Sequence, residues 1–248
     1  MAVVSPSITQ SGRFEPFELQ VARGQITDHA LVNIQGYNAA CPTGFRAVWE
    51  LSDVAAYVYP SSALAMTFSS SQPETLTMRV FGLDDTYAIK TATVTFTAGT
   101  TGVVTSGTSS FFRINAMQIV SGTSVGNITA ANGGTTYARI NAGTGRSQAS
   151  IYTVPLGYTF YLIRAQAFTT NNGAQFCTYR VFSQMVDGAV TTQNVVLNAP
   201  FTQSYMSTRI IPRPYLEKTD VQWQLSQSNP APGSIQVEGV LIKNDGSL

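Results

Sequence analysis

The chain has 248 residues and a net charge of +1, and only 11% of its residues are charged, against about 25% in average globular proteins. Its polar surface must be built from neutral groups, including 30 Thr and 23 Ser, which suits proteins that assemble side by side because neutral groups cost less to desolvate than ions. The sequence has no cluster of Lys or Arg and no apolar run near the ~20 residues that cross a bilayer, so we expect neither nucleic acid nor membrane as a partner.

The start of the chain predicts an arm rather than a folded segment. Residues 1–16 are mainly polar, show no periodicity and contain Pro6 and Pro16. We therefore expect this arm to order only against a neighbouring subunit, with Phe14 among its contacts. From Phe17 to Val21 apolar and polar residues alternate, which predicts the first half-buried strand.

The clearest hairpin pairs Leu76–Gly82 with Tyr87–Thr97. The connection contains Asp84 and Asp85, whose carboxylates can accept hydrogen bonds from the backbone of the turn. In the second strand the even positions from 90 to 96 are Lys, Ala, Val and Phe, whereas the odd positions from 91 to 97 are all Thr. This alternation predicts one face in the core and one face toward solvent or a neighbour.

Two long strands are predicted in the second half, Thr159–Thr169 and Gln175–Val186. They flank Asn171-Asn172-Gly173, a sequence that favours a hairpin turn because Asn and Gly tolerate positive φ. The first of these strands is apolar on both faces, with Phe160, Leu162 and Phe168 on one side and Tyr161, Ile163 and Ala165 on the other. Such a strand needs a second cover, either the first half of the chain or another subunit.

Roughly fifteen short β candidates and no sustained helical period predict an all-β protein of antiparallel β-sandwich or jelly-roll type. We expect under about 10% helix. The chain length allows one large sandwich or two small ones, and we predict two β domains after the arm, covering residues 17–120 and 121–248.

Little in the sequence points to catalysis. His29 is the one histidine, which removes two-histidine metal sites, and the 13 carboxylates are scattered. Cys41 and Cys177 lack a CxxC spacing, so we expect two unpaired buried thiols, as in proteins made in a reducing cytoplasm. We predict a non-enzymatic protein without metal or cofactor.

A modest basic segment contains Arg209 and Arg213 beside two prolines. It is either a solvated loop or part of an interface. Together with Phe14, the predicted interface residues are Phe160, Tyr161, Ile163, Phe168, Arg209 and Arg213.

The segment Leu76–Thr97 reads LTMRVFGLDDTYAIKTATVTFT and resembles virion structural proteins of tailed bacteriophages. The shared pattern is a strand that ends in a V-x-G-L-D-x-x-Y turn, followed by an alternating Thr/Val strand. Four further stretches agree with it in order: VNIQGYN at 32–38, RAVWE at 46–50, SSFFRINAMQIV at 109–120 and IYTVPLGYTFYLIRAQA at 151–167.

This resemblance implies a role in the virion, after synthesis in the cytoplasm of the bacterial host, and it brings no catalytic residues. Our leading hypothesis is a capsid decoration or cement protein, trimeric, that binds major capsid subunits. One alternative is a neck, tail or fibre-base component of the same particle. A second alternative is a glycan-binding β-sandwich module.

Overall fold

The computed structural model describes residues 15–170, 176–187 and 190–244, so the predicted arm, including Phe14, lies almost wholly outside the described residues. Strands make up 65% of the structure and helix 3%, which confirms the all-β prediction. Within the described residues there is one helix, α1 (Phe17–Ala22). The strands are β1 (His29–Cys41), β2 (Arg46–Ala47), β3 (Leu64–Ala65), β4 (Thr67–Leu83), β5 (Ile89–Ser106), β6 (Ser110–Phe111), β7 (Arg113–Ser121), β8 (Ile128–Asn132), β9 (Thr135–Ile140), β10 (Ile151–Thr153), β11 (Tyr158–Thr169), β12 (Cys177–Asp187), β13 (Val190–Phe201), β14 (Ser204–Tyr215), β15 (Thr219–Gln227) and β16 (Ala231–Lys243).

Two antiparallel sheets form what we call the main sandwich. One sheet has the strand order β1-β16-β11-β14, and the other has the order β10-β15-β12-β13, with β2 also paired to β15. The inward side chains of both sheets share one core. In this core the ring centroids of Phe160 in β11 and Trp223 in β15 are 6.4 Å apart. Among the described residues this core is the largest, and the first and last described strands, β1 and β16, pair with each other beside it.

The strands that lie between β2 and β10 in the sequence, β3 to β9, form what we call the inserted unit. The first part of β4 pairs with β8 and its second part pairs with β7, while β5 follows β4 on the other side. The register of β4 and β5 shifts between Ser69 and Thr75, and such a bulge bends the strand between its two pairing regions. Met78, Val94 and Ile128 lie at the centre of this second core, and each is fully buried.

The strand pairing does not follow the predicted division at residue 120. Pairing of β4 with β8 crosses that position, and β1 pairs with β16 at the far end of the chain. The inserted unit is therefore nested within the main sandwich along the sequence, rather than preceding it. A single sequence carries no local signal for pairing between strands about 200 residues apart.

A buried ion pair joins the two cores. Arg113, at the start of β7, donates two hydrogen bonds of 2.9 Å to the carboxylate of Asp220 in β15. Thr153 donates a third hydrogen bond, of 2.5 Å, to the same carboxylate, and Arg113 also lies 3.9 Å above the ring of Phe112. Arg113 is 4% exposed and Asp220 is 1% exposed, so this pair, which we call the core clamp, is shielded from water.

The predicted strand at Phe17–Val21 is wrong, because this segment is the helix α1. The backbone N–H groups of Leu19 and Gln20 both donate to the carbonyl of Pro16, which starts the helical turn. Gln20 and Val21 are the buried positions of the helix. Five residues are too few to separate a period of 2 from a period of 3.6, so the alternation was ambiguous there.

The hairpin between β4 and β5 confirms the prediction made for residues 76–97. Leu83 pairs with Ile89 around the turn, and the carboxylate of Asp84 accepts hydrogen bonds from the backbone N–H groups of Thr86 and Ala88. The same carboxylate also accepts one from the Thr86 hydroxyl. Within β5, the even positions 92, 94 and 96 are buried, as expected from the alternation.

The second predicted hairpin is not one. β11 pairs with β14 and β16, whereas β12 pairs with β13 and β15, so the chain passes from one sheet to the other between them. The predicted turn at residues 171–173 lies outside the described residues. Turn residues between two apolar runs are compatible with a hairpin and with a crossing between sheets.

Candidate interaction surface

Among the described residues, one side of the main sandwich ends in two strands that each pair with a single other strand. β13 is the last strand of its sheet, beyond β12, and β14 is the last strand of the facing sheet, beyond β11. The two strands follow one another in the chain, separated only by residues 202 and 203. Together their outward edges form what we call the open edge, where backbone groups face away from the protein and can pair with another chain.

β14 leaves its sheet in the middle of the open edge. Ser204–Thr208 pair with one part of β11 and Arg213–Tyr215 with another, so that the four residues 209–212 stand opposite Ile163 alone. Pro212 lies in this bulge and has no N–H to donate to a neighbouring strand. As a result Ile210 is fully exposed and Ile211 is 83% exposed.

Further apolar side chains are exposed along the open edge. Met206 of β14, Val195 of β13 and Leu216, which directly follows β14, are each more than half exposed. β13 contains no charged residue between Val190 and Phe201. Monomeric β proteins usually protect an edge with charged side chains or with prolines. β13 lacks the charges, and its one proline, Pro200, lies next to its last residue, so most of the strand can pair with another chain.

The predicted interface residues separate into two groups. Phe160 is 0% exposed, packs against Trp223 and Tyr215, and therefore cannot contact a neighbouring chain. Tyr161 and Ile163 are partly buried, whereas Phe168 is exposed. Arg209 and Arg213 are partly buried and lie at the two ends of the bulge in β14.

Phe168 points away from Phe160 because β11 also contains a bulge. The register of β11 with both of its partners shifts between Leu162 and Arg164, which adds one residue and reverses the inward and outward positions. Leu162 faces the core before the bulge, Ala165 and Ala167 face it after the bulge, and Phe168 consequently does not. The predicted faces of this strand are correct only before Ile163.

Sequence reasoning missed Ile210 and Ile211 and selected the two arginines that flank them. A signal was present, since two consecutive apolar residues cannot both enter the core from one regular strand. The following Pro-Arg-Pro sequence also indicates an interrupted edge strand. Exposure at the bulge could be recognised only once the pairing with β11 was known.

Among the residues considered for catalysis, Cys41 and Cys177 belong to the same core, and His29 lies at the opposite end of β1 from Cys41. His29 begins β1, with its Nδ1 atom 2.8 Å from the carbonyl oxygen of Thr27. Cys41 and Cys177 are buried and unpaired, as predicted, and burial raises the pKa of their thiols to about 11 and about 12. No group of three or more His, Cys, Asp or Glu that could hold a metal ion occurs among the described residues.

Two other buried carboxyl groups have structural partners. Burial by itself would raise the pKa of Glu74, but hydrogen bonds from Gly126, Val125 and Ser70 lower it, so this carboxylate holds the loop before β8. Burial raises the pKa of Glu50 to about 7, although it accepts a hydrogen bond from the backbone N–H of Gln148. Neither group lies on the open edge.

No family model, curated protein or solved structure matches this chain. In the ranges that the structure covers, no helix is long and apolar enough to cross a membrane.

Proposed function

We propose that this protein is a non-enzymatic structural protein of a tailed-bacteriophage particle, and that it acts as a capsid decoration or cement protein by binding major capsid subunits. The observation that carries the proposal is the open edge, which combines two strands paired on one side only with exposed Ile210 and Ile211. An uncovered edge of this kind favours association with another chain.

Binding would use two features of the open edge together. The backbone of β13 or β14 would add a strand of a neighbouring subunit, which supplies directional hydrogen bonds. Ile210 and Ile211 would fill a pocket on that subunit, and burying each side chain contributes about 1.5–3 kcal/mol. Contacts of this size, repeated over many copies, would stabilise a shell.

The composition and the resemblance support the same proposal. A surface rich in Thr and Ser, in a chain with 11% charged residues, loses little free energy when a neighbouring subunit displaces its water, because neutral groups cost less to desolvate than ions. The resemblance of residues 76–97 and of the four further stretches is to virion structural proteins. We propose a trimer as the free form, because identical chains usually close an interface by symmetry and a three-fold axis matches the geometry of a capsid.

The test is electron microscopy of purified particles that carry this protein, with its copy number measured by quantitative mass spectrometry. A decoration protein is expected on the outer face of the head in hundreds of copies. Roughly six to eighteen copies on the particle axis, as ring symmetry would give, would replace decoration with a neck or tail role. Absence of the protein from washed particles would refute a structural role in the virion.

A further inference from the structure

The outer face of the sheet β1-β16-β11-β14 carries an ordered set of exposed side chains. Along β1 the odd positions from 33 to 37 are exposed or partly exposed, whereas the even positions from 34 to 38 are buried. The strand register continues these outward positions into β16 and β11, so rows of three side chains cross the face, one from each strand. We call the three rows that pass through Asn33, Gln35 and Tyr37 the outer platform.

The row through Tyr37 places two aromatic rings on either side of a small residue. Tyr37 pairs with Ser234, and Ser234 pairs with Phe168. The two aromatic residues are both exposed and lie two strands apart, about 10 Å. All three residues line one hollow of about 110 Å³. Exposed aromatic side chains beside a concave surface are typical of ligand-binding sites.

The next row consists of three glutamines. Gln35 pairs with Gln236, and Gln236 pairs with Gln166. Each of the three is exposed or partly exposed. A glutamine amide has an oxygen that accepts hydrogen bonds and a nitrogen that donates two. The glutamine row therefore offers both kinds of hydrogen-bonding group to a ligand and carries no charge.

The third row is charged but balanced. Asn33 pairs with Glu238, and Glu238 pairs with Arg164, whose guanidinium donates to the Glu238 carboxylate at 2.7 Å. Asn33 and Glu238 also line a second hollow, of about 310 Å³, together with Glu18 of α1. The three rows thus have no net charge, and Glu18 adds a negative charge at this end. The outer platform therefore suits a neutral ligand better than an anionic one.

We propose that the outer platform binds a neutral polysaccharide. One face of a hexose ring presents C–H groups, which are attracted to the electronegative face of an aromatic ring, and the edge of the hexose presents hydroxyls that both donate and accept. Tyr37 and Phe168 supply the aromatic rings, and the glutamine row supplies partners for the hydroxyls. The three rows extend about 13 Å along the strands, which is longer than one sugar ring and favours a segment of several linked sugars.

A proline-rich peptide is the competing ligand, because such peptides also dock between aromatic side chains. Proline has a carbonyl acceptor but no N–H donor, so a run of prolines would leave the amide oxygens of the glutamine row without partners. The hydroxyls of a sugar match both the oxygen and the nitrogen of each amide. Glycan binding is independent of the proposed virion function, and its failure would leave that proposal unchanged.

The test is isothermal titration calorimetry of the full chain with maltohexaose, cellohexaose, mannohexaose and chitohexaose, with decaproline titrated in parallel. We expect saturable binding of at least one of the oligosaccharides, with a dissociation constant below about 1 mM, and no binding of decaproline. The proposal is overturned if none of the oligosaccharides binds, or if decaproline binds and they do not.

Substitutions decide whether the outer platform is the site. Phe168→Ala and Tyr37→Ala each remove one exposed ring and should each weaken binding about tenfold. Gln236→Leu keeps the size of the side chain, removes its hydrogen-bonding groups and should also weaken binding. Phe45→Ala is the matched control, because Phe45 is also exposed but lies under the guanidinium of Arg180 in the other sheet of the main sandwich.

Two further outcomes would overturn the proposal. The first is that Phe168→Ala and Tyr37→Ala, with melting temperatures close to that of the wild type, bind the oligosaccharide as tightly as the Phe45 control. The second is that Tyr37→Ala changes the mass of the protein in light scattering. Tyr37 is on β1, at the opposite end of the sheet from β14 and the open edge, so such a change would place a second copy of the chain on the outer platform.

Discussion

Replacing Arg113 by Met should remove about 3–5 kcal/mol from the free energy of unfolding. The change leaves the carboxylate of Asp220, 1% exposed, without the two 2.9 Å hydrogen bonds and the positive charge that compensate it. Among the residues that the structure describes, only the hydroxyl of Thr153 would remain as a donor. Breaking a buried pair from one side costs about this much because it leaves an uncompensated buried charge.

The assay is urea unfolding at pH 7, followed by tryptophan fluorescence, with Arg113→Met, Asp220→Asn and the double variant compared with the wild type. Each single variant should lower the stability strongly. The double variant should lose less than the sum of the two single losses, since removing both charges leaves none unpaired. Arg164→Gln, which breaks the exposed pair with Glu238, should change stability by less than about 1 kcal/mol.

Two outcomes would refute this reasoning. A loss below about 1 kcal/mol for Arg113→Met would show that water reaches Asp220 and screens it. Strict additivity in the double variant would show that Arg113 and Asp220 act separately, and that the core clamp does not couple the main sandwich to the inserted unit.

Three further predictions test other features of the fold. Burial raises the pKa of Glu50 to about 7 in the folded protein, against 4.5 for the free group, so the native state binds a proton that the unfolded state has lost. The free energy of unfolding should therefore fall by about 3 kcal/mol as pH rises from about 4.5 to 7. Glu50→Gln should abolish this loss in urea titrations between pH 5 and 8, and an unchanged dependence of the unfolding free energy on pH would contradict the prediction. Asp84→Ala removes three hydrogen bonds of the β4–β5 turn and should cost about 1–2 kcal/mol, whereas the exposed neighbour Asp85→Ala should cost under about 0.5 kcal/mol in the same thermal melts. Burial raises the pKa of both cysteine thiols, so Cys41 and Cys177 should resist Ellman's reagent in the folded protein at pH 8, and both should react in urea. Rapid labelling of either thiol in the native state would show that this thiol is accessible and would contradict the prediction.

Local patterns predicted what depends on neighbours in the sequence. Alternation in Ile89–Thr97 was sufficient to predict which face of β5 is buried, because the Thr residues alternate with the core residues at 92, 94 and 96. The turn was predictable because Asp84 accepts hydrogen bonds within its own turn. At Phe17–Val21 the same kind of pattern failed, since the segment is only about one and a half helical turns long. The prediction was therefore most reliable for long segments with a single period.

Features that depend on distant pairing were not predictable from one sequence. The bulge near Ile163 that turns Phe168 outward arises from the register with β14 and β16. The exposure of Ile210 follows from the matching irregularity in β14. Residues that looked like an apolar interface, Phe160 above all, instead fill the core between two sheets whose strands are far apart in sequence.

The central claim is that the open edge joins this protein to other subunits, and light scattering of the purified chain tests it most directly. We predict a mass of about three times the 26.6 kDa chain at micromolar concentration, and a shift to monomer for the Ile210→Ser/Ile211→Ser double variant. The matched control, Val103→Ser/Val120→Ser, replaces two exposed apolar residues of the inserted unit and should retain the wild-type mass. A wild-type monomer, or an assembly that the isoleucine variant leaves intact, would contradict the claim.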